Sequence, residues 1–254
     1  MKRILACTIA LALSTTPLCG QDIPLSKILV EKENWRKFPL EFRQITHLEG
    51  SSNGDVQVNQ DGSAGTLNTK GKFFIGPLIF HRITARTAST KGHSYSIDSD
   101  GKSVAWFKEG KLTNSLKLPG LNTASCLFLW PDEGHLVIGE TDGAYLWAVR
   151  IEKDGSFGPG DRYYSLRTKP NEKMHVTAMT MDAGYLLYAC TPLGIQVFDP
   201  TGRLCGVIAA PSKDAMTAIT IGGAKADELF VAAGEKIYAR KIQGKAAYTL
   251  KKEK

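Results

Sequence analysis

A two-hairpin unit that recurs at a spacing of 45 to 50 residues constrains this chain more than any other feature. Residues 129–138 run from an apolar residue through a turn containing Asp132 into an apolar strand, and residues 180–189 repeat that order around Asp182. Each is followed by a second hairpin, turning at Asp154-Gly155 in the first copy and at Asp199-Pro200-Thr201-Gly202 in the second. Asp132 and Asp182 are 50 residues apart, and Asp154 and Asp199 are 45 apart. A third copy begins at Thr220 and runs through 229–232 to 236–240. Two hairpins per unit at this period predict a four-stranded propeller blade.

Short β-rich runs elsewhere support an all-β chain. They fall at 55–59, 72–75, 94–98, 136–138, 145–151, 186–189, 195–198 and 229–232, each bounded by turn residues. Asp61-Gly62, Asp100-Gly101 and Asp154-Gly155 read as hairpin turns, because glycine accepts the positive φ such turns need. No segment holds a helical period over three turns. At roughly 40 residues per blade, the 234 residues after position 20 give about six blades, with five as the alternative. Residues 35–46 are placed to supply the outer strand that closes the ring, since an open ring leaves sheet edges unpaired.

Residues 1–20 have the layout of a signal peptide: Lys2 and Arg3, an apolar run over 4–13, then Pro17 and a small Gly20 as the cleavage point. That run is shorter than the ~20 residues a membrane span needs. The expectation is a secreted or periplasmic protein, with one propeller domain over 21–248 and a basic tail over 249–254. Loss of Lys2 and Arg3 lowers the formal charge from +7 to +5, a mild surplus. No stretch interleaves Arg or Lys with aromatics as a nucleic-acid groove does. Cys126, Cys190 and Cys205 remain after the leader, an odd count without CxxC spacing. Buried free thiols are the default reading, and a Cys190–Cys205 bridge is the alternative.

Common catalytic signatures are missing. No serine is read as sitting in a nucleophile elbow, and there is no phosphate loop, GxGxxG or HExxH in the sequence. His47, His81, His135 and His175 show no metal spacing. Asp132, Asp154, Asp182 and Asp199 all sit in turns, where their side chains are expected to bond local backbone. Trp106, Trp130 and Trp147 are expected to fill the gaps between blades.

Several motifs together resemble the last three blades of SMP-30/gluconolactonase-like proteins, in their secreted bacterial branch. They are Trp130-Pro131-Asp132 with the strand after it, residues 146–156, Arg162-Tyr163-Tyr164, residues 193–208 with Asp199-Pro200-Thr201-Gly202, Gly222-Gly223, and Lys236-Ile237-Tyr238. The resemblance covers about half the chain, from 120 to about 244. It implies a six-bladed propeller with one divalent cation in the central channel, held by a Glu, two Asn and an Asp, beside a sugar-lactone substrate. Hard oxygen donors suit such an ion, which polarises a carbonyl and activates water.

Mapped one position at a time, those ligands are mostly replaced. The Asp position falls on Thr177, one Asn on Ser125 and the other on His93. The Glu position is either Glu49, in Leu48-Glu49-Gly50, or Thr46 by strict counting. Neutral hydroxyls cannot repay the dehydration of a divalent ion. The expectation is therefore a propeller without a bound metal, in contrast to the single divalent cation of its family. Such a protein binds a sugar-like ligand or another protein, with Ser125 and Thr177 at the ligand position. The alternative is a divergent lactone hydrolase using His93, His175 or Glu49.

Overall fold

The structure, a computed structural model, describes residues 23–61, 63–76 and 86–252. The leader assigned to residues 1–20, the Gly62 half of the Asp61-Gly62 turn and His81 lie outside the described residues. The described chain folds into five four-stranded antiparallel sheets arranged as the blades of a ring. In chain order the strands are β1 (Arg36–Lys37), β2 (Ile45–Gly50), β3 (Val56–Gln60), β4 (Ser63–Leu67), β5 (Phe73–Gly76), β6 (Arg86–Ala88), β7 (His93–Ile97), β8 (Val104–Lys108), β9 (Lys111–Leu116) and β10 (Thr123–Leu129). They continue with β11 (His135–Thr141), β12 (Tyr145–Ile151), β13 (Phe157–Ser165), β14 (Ala178–Met181), β15 (Leu187–Thr191), β16 (Gly194–Phe198), β17 (Leu204–Ile208), β18 (Met216–Gly222), β19 (Glu228–Ala233) and β20 (Lys236–Lys241).

Blades I to IV are consecutive meanders, β2–β5, β6–β9, β10–β13 and β14–β17. Blade V has the order β1-β20-β19-β18, so its outermost strand comes from the other end of the chain. Arg36 pairs with Ala239 and Lys37 with Tyr238. The closing strand expected within 35–46 is thus present. Gln243 Nε2 donates to the carbonyls of Ser26 and Leu29, both at 3.0 Å, and Trp35 Nε1 donates to the Ala209 carbonyl at 2.9 Å. These bonds tie the same leading segment to blades IV and V.

The blade count is five, the smaller of the two counts allowed by length and one fewer than the resemblance implies. The described residues before Ile45 build no blade of their own, because they serve the closure. From Ile45 to Lys241 the chain spends about 39 residues per sheet, close to the period used to predict six. The closing segment takes up the length that a sixth blade would need.

Packing explains which strands were readable. Each of the four apolar clusters among the described residues lies between neighbouring blades. Middle strands are therefore covered on both faces: every residue of β15 and β16 is buried, and such strands read as continuous apolar runs. Outer strands are half-solvated, and β9 is exposed along almost its whole length. Trp106 and Trp147 are buried in the cluster joining blades II and III, and Trp130 packs against the one joining III and IV. All three thus occupy interblade space.

Turn acids hold the hairpins. Asp199 Oδ1 accepts from the Thr201 and Arg203 backbone N–H groups and the Thr201 hydroxyl. Asp182 is buried, its Oδ1 accepting from the Gly184 and Leu186 N–H groups at 2.8 and 3.0 Å and its Oδ2 from the Tyr188 hydroxyl at 3.1 Å. Burial raises the Asp182 carboxyl above its usual 3.8, against the opposing pull of those donors.

Trp147→Ala is expected to cost about 3–5 kcal/mol in urea unfolding, the range for deleting a buried aromatic. Asp182 adds a pH signature. Its raised pKa makes its contribution complete below 3.8 and progressively lost as pH climbs through the folded-state value. Asp182→Asn has no charge to bury, so the stability of the native chain relative to this variant should fall from acid toward neutral pH. A difference that grows with pH would contradict the assignment.

Candidate functional site

The inner strands β2, β6, β10, β14 and β18 surround a cavity of about 360 Å³ on the ring axis. Its size falls within the ~300–1,000 Å³ typical of small-molecule sites. Each inner strand is the first of its blade's three or four consecutive strands. The pairing order therefore places its free edge toward the axis.

Three inner strands carry a β-bulge near their start. Pairing skips Thr46 between Ile45 and His47, Ser125 between Ala124 and Cys126, and Thr217 between Met216 and Ala218. In blade IV pairing begins at Ala178–Cys190, and the preceding Thr177 also donates its N–H to the Cys190 carbonyl at 3.1 Å. Thr177 thus occupies the corresponding place. A bulge bends the strand and re-aims the extra side chain. Four blades share one outcome: the residue at this place is Thr or Ser.

Thr46, Thr177 and Thr217 line the cavity. The Thr177 and Thr217 hydroxyl oxygens are buried and have no hydrogen-bond partner among the described residues. Thr46 Oγ1 makes a long bond of 3.4 Å to the Asn59 carbonyl. Ser125 is outside the lining; its hydroxyl donates to the Val176 carbonyl at 2.6 Å and joins blade III to the lead-in of β14. Further along the channel, Thr220 Oγ1 accepts from the Gly50 N–H at 2.9 Å, linking blades V and I.

Charged groups in the lining are few. His47 and Glu49 are alternate residues of β2, with His47 Nε2 and Glu49 Oε2 3.9 Å apart. The Glu49 side chain is 72% exposed, so this contact is weak in high dielectric. Arg86, at the start of β6, also lines the cavity and donates from Nη2 to Ser94 Oγ at 3.0 Å.

The other sequence candidates are placed elsewhere. His93 is on β7, the second strand of blade II, buried with its ring 5.9 Å from that of Trp106. Gly155 lies against the same ring, where an added Cβ would come within 2.5 Å. Asp100-Gly101 joins β7 to β8 instead of following the inner strand, so counting back from it reaches the wrong strand. His175 is exposed on the lead-in to β14, its Nδ1 3.4 Å from Thr141 Oγ1. It does not line the cavity. Sequence reasoning passed over His47, Arg86 and Thr217. Their local context is ordinary, and only the pairing identifies them as inner-strand residues. Cys190 and Cys205 are not joined by a disulfide, nor is Cys126 part of one. Burial pushes the Cys126 thiol up to about 12 and raises Cys190 as well, which makes both poor nucleophiles.

These donors can be tested against the family's cation. Among the described residues no three His, Cys, Asp or Glu side chains cluster closely enough to hold a metal. Among the described residues the lining includes one solvated carboxylate, one imidazole, a guanidinium and several threonines. A hard divalent ion calls for several anionic or amide oxygens, and a guanidinium in the same lining opposes it. The donor set does not fit such an ion.

Three solved structures share the architecture. A gluconolactonase from Xanthomonas campestris aligns with a TM-score of 0.58 at 13% identity, covering 86% of this chain and 92% of its own. A calcium-binding regucalcin from Agrobacterium tumefaciens gives 0.54 at 14%, covering 80% and 77%. A luciferin-regenerating enzyme gives 0.54 at 12%, covering 80% of each. At such identities the likeness establishes the fold. No curated protein matches the chain significantly. The model describing the SMP-30/gluconolactonase/LRE-like region matches residues 40–235, and the chain belongs to that family.

Proposed function

We propose that this is a secreted, non-catalytic propeller that binds a sugar-like small molecule in its central channel without a divalent cation. The observation that carries the reading is the lining itself: a channel of small-molecule size lined by Thr46, Thr177, Thr217 and Thr220, with threonine at strand positions to which the family's ligands map or which correspond to them. Hydrolysis by the family route needs an ion to polarise the carbonyl and activate water. Glu49, solvated and beside His47, is a weak anchor for one. Secretion rests on the charge and apolar pattern of residues 1–20. Among the described residues, no helix is long and apolar enough to cross a membrane.

Elemental analysis of the purified protein, paired with sugar-lactone hydrolysis assays with and without Ca²⁺, Mn²⁺ and Zn²⁺, tests this. The expected result is less than stoichiometric metal and no turnover above the uncatalysed rate. One equivalent of tightly held metal, with turnover abolished by Glu49→Gln, would restore the hydrolase reading.

A further inference from the structure

The outer edges of the ring are not alike. β5, β9, β13, β17 and β1 stand outermost in their blades, and among the described residues no strand pairs with their outer sides. Such an edge templates pairing with another chain unless charge, proline or a covering segment blocks it. β1 is Arg36-Lys37, both exposed. β13 carries Pro159, Asp161 and Arg162. β17 is packed by the helical turn Leu25–Lys27, with Leu25 against Gly206, and Trp35 bonds the Ala209 carbonyl just past its end. β9 opens on Lys111 and continues through Thr113, Asn114 and Ser115. β5, Phe73-Phe74-Ile75-Gly76, has none of these devices. Its Phe74 and Ile75 are 56% and 79% exposed.

We propose that β5 is a self-association edge, at which two copies of this chain pair β5 with β5 antiparallel and set Phe74 opposite Phe74. Residues paired across strands share a face of the sheet. Phe74 pairs with Thr66, and so lies on the face of blade I that also carries Gln57 and Glu49. Phe73 and Ile75 pair with Leu67 and Gly65, on the other face. A two-fold axis perpendicular to the sheet keeps like faces together, so opposed residues must come from the same face. Phe74 on Phe74 meets this condition, and it sets Phe73 of each copy opposite Ile75 of the other. A slip that opposed Phe74 to Ile75 would put their side chains on different faces. The next allowed register, Ile75 on Ile75, leaves the Phe74 ring facing Gly76.

The same register suits the charges. Lys72 is exposed and directly precedes β5. It comes opposite Gly76 of the second copy, which leaves the two Lys72 residues ~14 Å apart along the strands. That exceeds the ~8 Å screening length at physiological salt. Strand length sets the strength: a four-residue edge with two large exposed side chains falls short of the ~1,000 Å² of a stable interface. The pairing is therefore reversible and concentration-dependent. No β5 residue lines the channel, so it stands apart from the ligand reading.

Analytical ultracentrifugation of the purified protein from micromolar to near-millimolar concentration, with hydrogen exchange read at β5, provides the test. The mass should climb toward a dimer, and the Phe74 and Ile75 amides should gain protection as it does. Phe74→Lys, at an exposed site, should raise the dimer Kd by about 10-fold through loss of the aromatic pair. Single cysteines in a Cys205→Ser background read the register under mild oxidation. Phe74→Cys brings two Cα atoms to about 4.5–5.5 Å, within disulfide reach, whereas Ile75→Cys leaves them about 8 Å apart, beyond it. Phe74→Cys should cross-link well ahead of Ile75→Cys. A monomer at every concentration would overturn the proposal: protected β5 amides would then assign the cover to another part of the same chain, and unprotected ones would leave the edge to a foreign strand. A dimer unchanged by Phe74→Lys, or faster cross-linking at position 75, would overturn it as well.

Discussion

The backbone pairing of β1 with β20 is the constraint from which the rest of the ring follows. A meander of antiparallel strands ends in an exposed row of N–H and C=O groups, which invites association with other chains. Here the fourth strand of blade V is supplied by Arg36–Lys37, from the opposite end of the sequence. Around that short pairing Phe38 and Phe42 pack with Phe230 and Ile237, and Ile28 joins the cluster of blades IV and V. Closure is thus a sheet interaction reinforced by apolar burial on both sides. It also explains why a chain of this length holds five blades: the residues that close the ring are unavailable to extend it.

Once the ring is closed, five strand edges converge on its axis, and the chemistry of the channel depends on a few positions. The same bulge that the fold places near the start of an inner strand aims a side chain that the rest of the strand does not. At the corresponding places of blades I, III, IV and V this chain has Thr46, Ser125, Thr177 and Thr217. The scaffold and its turns persist, as in Asp182 and Asp199, because they stabilise the hairpins whatever the channel binds. Chemistry at the axis is separable from these supports, since no turn acid lines the cavity.

Legibility followed solvent exposure. Strands β12, β15, β16 and β19 were readable because burial on both faces makes them compact apolar runs between turns. Polar β9 and the glycine- and proline-containing β13 carry no such signal, since an outer strand is defined by its neighbour's edge. The same logic explains His93. An Asp-Gly turn announces a hairpin but not which hairpin of the blade it closes, so counting from Asp100-Gly101 arrived on β7 instead of β6. Counting from the inner turns gives a constant spacing: Thr46, Ser125 and Thr177 each lie five residues before Ser51, Trp130 and Asp182. The same spacing before Ser89 falls on Thr84, which lies outside the described residues.

By itself the sequence determined an all-β chain of repeated hairpins, the turns that hold them, and the middle strands that fill the space between blades. These properties are local: a turn needs its Asp and Gly, and a doubly covered strand needs apolar side chains. Tertiary structure decided the number of blades, the partner of the last strand, and which side chains meet on the axis. Pairing between residues some 200 positions apart sets closure, and a single unpaired residue sets a bulge. Neither leaves a mark in the composition of the segment that contains it.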